Sequence, residues 1–139
     1  MLYPVGISSF EKIRTKGFVY VDKTDLIYRL ASEGSVYFLS RPRRFGKSLL
    51  ISTLDAYFRA KRSLFQGLAI EKLEQNWEES VVLHLSFGGT DFGQLGGLES
   101  YLNRILKTVE NEFGIVPDSD KPDDRLYHLI ITAYKKFDR

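Results

Sequence analysis

The chain has 139 residues, a natural length for one domain, and enough apolar side chains to bury a core without covalent staples. It has no cysteine, which excludes disulfides, thiolate metal sites and thiol nucleophiles, and its two histidines, His84 and His128, are too few for a His-rich metal cage. A formal charge of +2 asks for no nucleic-acid partner at the scale of the whole chain, and no run approaches the roughly 20 apolar residues of a membrane span, so the chain reads as a soluble, cytoplasmic protein whose function rests on a local site.

Residues 3–23 hold short apolar pieces between glycines and charges and read as irregular chain, with one short extended segment at Phe18-Val19-Tyr20-Val21. Asp22 or Thr24 can then cap a helix whose apolar face is Leu26, Ile27 and Leu30 and which stops near Gly34. Residues 35–40 are almost wholly apolar, rich in β-branched and aromatic types, and predict a strand buried on both faces. That strand ends at Arg41-Pro42, because proline restricts the residue before it and cannot donate to a sheet. A helix is expected from Lys47, with Leu50, Leu54, Tyr57 and Phe58 at helical spacing.

Residues 64–73 read as a short helix and turn, followed by a polar segment carrying Trp77, and residues 81–87 as a second buried strand closed by Gly88-Gly89. The clearest helix has Leu98, Tyr101, Leu102, Ile105, Leu106, Val109 and Phe113 in one stripe with Gly114 as its stop. A last helix places Leu126, Leu129, Ile130, Ala133, Tyr134 and Phe137 on one face, after the polar loop 117–123. Strands alternating with helices predict an α/β fold with a parallel sheet and flanking helices.

Between the first strand and the helix at Lys47 lies the loop with the most chemical content. A polyphosphate binds where backbone N–H groups converge at the positive end of a helix, with a lysine reaching its terminal groups. Strand, basic loop, Gly46-Lys47-Ser48 and helix supply that setting: Gly46 for close backbone approach, Lys47 for the β- and γ-phosphates, Ser48 for Mg²⁺. The match is a variant, since the usual first glycine is replaced by Arg41, and Pro42 removes one backbone donor. Arg43 and Arg44 add charge that offsets the loss. The candidate binding set is Arg41, Arg43, Arg44, Phe45, Gly46, Lys47, Ser48 and Leu49, with Ser48 also the metal contact.

The segments Tyr20-Val21-Asp22-Lys23-Thr24, residues 38–50 around Arg-Pro-Arg-Arg-Phe-Gly-Lys-Ser, Leu64-Phe65-Gln66-Gly67-Leu68, Trp77 and the run into Phe87 resemble the AAA-ATPase-like family of bacterial P-loop proteins. Nearly the whole chain shares the likeness. It implies ATP and Mg²⁺ at the Gly46-Lys47-Ser48 loop, with Tyr20, Asp22 and Lys23 near the site. It also implies a P-loop NTPase-like sheet of which residues 1–139 are the N-terminal part, and relatives fused to a PD-(D/E)XK nuclease-like domain that these residues do not contain. The acidic strand used for hydrolysis is expected beyond Arg139, leaving unpaired sheet edges open to self-association, with weak nucleotide binding at most and little hydrolysis by this chain alone.

Within the chain, residues 85–87 end without a carboxylate, His84 reads as a sheet residue and Asp91 as a turn or cap residue. Two alternatives remain open: a nucleic-acid-binding module using Arg41, Arg43, Arg44 and Lys47, which needs a wider basic face, and an interaction scaffold with a non-hydrolysing nucleotide site.

Overall fold

The computed structural model describes residues 2–34, 36–88 and 92–137. The chain divides into two compact units, Met1–Glu79 and Ser80–Arg139. Asp91, Ser35 and Gly89 lie outside the described residues, and with them the turn or cap expected at Asp91.

The first unit is built on three helices and two single 3₁₀ turns. Helix α1 spans Phe10–Thr15, α2 Thr24–Glu33 and α3 Lys47–Phe58, and the 3₁₀ turns are Arg62–Phe65 and Ala69–Lys72. Helix α1 occupies a stretch expected to be irregular. Ser9 starts it by accepting the Lys12 N–H at 3.2 Å, and Phe10 and Ile13, three apart, give it one buried edge. Helix α2 begins and ends where expected, but its N-cap is Lys23, without a side-chain cap, rather than Asp22 or Thr24; the Asp22 carboxylate accepts the Thr24 N–H at 2.9 Å and Gly34 is the C-cap. The core joins Phe10, Ile27, Ala56, Leu64, Phe65, Leu68 and Ile70, with Tyr20, Leu49, Leu54, Tyr57 and Trp77 packed around it.

The second unit pairs α4 (Gly97–Phe113) with α5 (Pro122–Phe137). Its core is Leu106, Val109, Phe113, Ile115 and Leu129, backed by Val81, Leu83 and Leu126. Gly114 ends α4 at φ 64°, a left-handed turn that glycine adopts without a Cβ penalty. Tyr101 holds residue 86 to α4, its hydroxyl donating to the Ser86 carbonyl and accepting the Ser86 N–H, both at 2.7 Å.

The expected parallel sheet is absent from the described residues, and the α/β reading gives way to a helical fold. The sole β-bridge they hold is the isolated one between Leu2 and Phe18. Residues 36–40 and 81–87 have the composition of buried strands but form none, and a physical reason lies in their distribution. A strand needs a neighbour to take its backbone hydrogen bonds, and each unit contains only one of these two segments. Without a ladder Val36 and Phe38 stand 89% and 94% exposed, and His84 is likewise at the surface rather than in a sheet. No helix among the described residues is long and apolar enough to cross a membrane.

Candidate functional site

The start of α3 opens on a cavity of about 800 Å³ within the first unit. On one side lie Arg43, Arg44 and residues 46–49, on the other residues 4–8. The local chain explains how the first side is made. Gly46 takes φ 75° and hands the backbone straight into α3, whose first long bond runs from the Leu50 N–H to the Gly46 carbonyl at 2.9 Å. No side chain caps this helix. The N–H groups of Lys47, Ser48 and Leu49 therefore make up the uncapped, positive end of a 12-residue helix, beside the cavity their residues line.

Charge adds to that field. Three lining residues are cations, Arg43, Arg44 and Lys47, and none is a carboxylate. Lys47 Nζ donates to the carbonyls of Pro42, at 2.9 Å, and Arg41, drawing the loop into a closed ring. An ammonium has three donors, so these two bonds leave one to point elsewhere. Arg44 sits at φ 67°, a left-handed conformation that L side chains with a Cβ rarely adopt.

Of the eight residues expected to bind, Arg43, Arg44, Gly46, Lys47, Ser48 and Leu49 line the cavity. Arg41 contributes only its carbonyl, to Lys47, and Phe45 is 65% exposed and does not line it. Residues 4–8 were missed, because an apolar Pro-Val-Gly-Ile stretch carries no chemical signal until the fold sets it opposite the loop.

Tyr20, Asp22 and Lys23 do not line this cavity. Tyr20 packs edge-on against Phe10 at 5.2 Å in the core, and burial pushes its phenol above the ordinary range, with the Asp22 charge acting the same way against opposing effects of Thr53 and Arg14. Asp22 instead fastens two segments. One carboxylate oxygen accepts the Thr24 N–H and hydroxyl at 2.9 and 2.7 Å, and the other accepts the Ala69 N–H at 2.7 Å. Thr24, fully buried, accepts the Ile70 N–H at 3.1 Å. Burial alone would raise the Asp22 carboxyl, but these donors and the Arg14 charge hold it below its usual value.

A second hollow of about 800 Å³, at the starts of α4 and α5, is lined by Leu95, Leu98, Leu102 and Leu126 with Glu99 and Asp123. Its acids repel an anion, so of these two hollows the α3 cavity is the one suited to phosphate chemistry. Among the described residues no group of three or more His, Cys, Asp or Glu side chains can hold a metal ion.

The AAA-ATPase-like family model, described as Predicted AAA-ATPase, matches residues 4–139. An uncharacterised protein from the region 5′ of vnfD in Azotobacter chroococcum is 38% identical over 135 residues, covering 94% of this chain and 26% of that protein. The chain thus spans about a quarter of that relative's length. No solved structure matches.

Proposed function

Because the chain belongs to the AAA-ATPase-like family, we propose that the cavity at the start of α3 binds the triphosphate of ATP with Mg²⁺, through a variant Walker A loop. The observation that carries the reading is the uncapped N-terminus of α3, opening beside three cations and no carboxylate. Such an arrangement favours a multiply charged anion over any neutral ligand.

Each residue has a distinct part. Gly46 lets the anion approach the backbone, and a Cβ there would meet nothing within 4 Å, so the space beside it is open. Lys47 gives its remaining N–H to the terminal phosphates while the Arg41 and Pro42 carbonyls hold its stem in place. Ser48 supplies a hydroxyl to Mg²⁺, and Arg43 and Arg44 form charge-assisted hydrogen bonds to phosphate oxygens. Hydrolysis also needs a carboxylate that polarises water. None lines this cavity, so we assign nucleotide binding, and not hydrolysis, to these residues.

Calorimetric titration of ATP with Mg²⁺ into the protein and into Lys47→Ala tests the reading. Saturable binding is expected, weakened in the variant by about tenfold or more, the worth of one charge-assisted contact. Absence of binding by the unsubstituted protein at millimolar ATP would sink the proposal.

A further inference from the structure

Helix α5 buries only part of its apolar surface. Leu126 and Leu129 go to the core that α5 shares with α4. Ile130 and Tyr134, expected on that same face, stay 56% and 58% exposed, and Tyr127 is 70% exposed. We infer that this outer stripe, Tyr127, Ile130 and Tyr134, docks α5 of a second copy of this chain, packed antiparallel about a two-fold axis beside Ile130.

The stripe is a patch rather than a scatter of single side chains. At about 100° per residue the three positions fall within an arc of about 60°, on adjoining turns of one helix. Tyrosine suits such a surface, since its ring packs against apolar groups while its hydroxyl stays at the wet edge. The sheet edges expected to carry self-association are absent among the described residues, and α5 supplies a surface that needs none.

Charge selects the occupant. The first turn of α5 carries Asp123 and Asp124, and the last turn carries Lys135 and Lys136. An antiparallel copy sets each acidic end against a basic end, whereas a parallel copy sets like against like. Lys136 turns inward, donating to the Phe113 carbonyl at the end of α4 at 2.9 Å, so Lys135 is the cation beside the outer stripe. Asp124 and Lys135 lie on one flank of the stripe, about 20° apart around the helix. A two-fold axis across two antiparallel helices brings that same flank of both copies together. The axial spacing agrees. At a rise of about 1.5 Å per residue, an axis at Ile130 sets Tyr127 within about 1.5 Å of the level of Tyr134 in the second copy, and Asp124 within about 1.5 Å of Lys135. One register therefore satisfies the rings and the charges together, each pair occurring twice around the central isoleucines.

Sedimentation velocity on the protein from about 10 to 500 µM tests this, a range suited to an interface of one helix per copy. The 16.0 kDa monomer is expected to move toward twice its mass as concentration rises. Ile130→Asp, at an exposed position, should stay monomeric throughout with unchanged circular dichroism. Asp124→Lys and Lys135→Glu should each weaken association about tenfold, since either one creates two like-charge contacts per dimer. An equimolar mixture of these two variants should associate as the unsubstituted protein does, because the changed charges then meet as opposites. A monomer at the top of the range, association unmoved by Ile130→Asp, or a mixture of the two folded charge variants no stronger than either alone overturns the inference.

Discussion

Asp22 shows how much a single carboxylate can organise from an exposed position. Its two oxygens take three donors from two segments far apart in sequence, residues 24 and 69. Replacing it by asparagine keeps one acceptor but turns an N–H toward the other donor, at a cost of about 1–2 kcal/mol. Urea unfolding of Asp22→Asn measures that loss. The folded carboxyl lies below its ordinary 3.8, so its contribution is fully present above about pH 4 and is lost as pH falls through the folded value. The stability difference between the two proteins should therefore shrink on acidification below pH 4, and a difference constant down to pH 2 would rule out this role. Arg44 is the opposite case, a residue whose conformation works against stability. Arg44→Gly should raise stability by about 1 kcal/mol by relieving the left-handed strain, while weakening ATP binding through the lost cation. Thermal melts and calorimetry on one variant read both signs. That α2 starts near Asp22 and Thr24 was legible from their types and position, although its N-cap is Lys23 and no side chain caps it. The hold of Asp22 on residue 69 was not, because that partner arrives through tertiary packing.

At the scale of elements, helices of ten residues or more were legible and the six-residue α1 was not. Helices α3, α4 and α5 carry apolar stripes long enough to reveal a period of 3.6, and Gly114 marks the end of α4. Helix α1 is only six residues, too short for periodicity to stand out from its surroundings. What the stripes did not disclose is the polar lock between α4 and α5. Glu110, 3% exposed, accepts Arg125 Nε at 3.0 Å and a second guanidinium nitrogen, while Arg125 also donates to Asn103 at 2.7 Å. Arg125→Met leaves a buried carboxylate without its cation and should cost about 3–5 kcal/mol, whereas substituting both partners by apolar residues should restore most of it. Chemical denaturation of the single and double variants followed by circular dichroism checks the pair.

The whole molecule departs furthest from its sequence reading. An α/β fold with a parallel sheet was expected, and the described residues are helical, without a sheet. The difference turns on residues 36–40, which either pack in a sheet or stand in solvent. Phe38, 94% exposed, decides between them. Phe38→Asp should change stability by no more than about 0.5 kcal/mol, as for other surface substitutions, while a loss of about 3 kcal/mol or more would mean that the side chain is buried.

Some features of this protein follow from the chain alone: the absence of thiol chemistry, the long helices, the glycine stop of α4, and a cationic loop with glycine set against a helix start. Each depends on residues within a turn or two of one another, so neighbours in sequence carry the whole cause. Sheet formation, the destination of Asp22 and the apolar wall at residues 4–8 were decided only by tertiary structure. A strand's hydrogen bonds, a carboxylate's second partner and the far side of a cavity are all supplied by segments tens of residues away. No local pattern names which segment that will be.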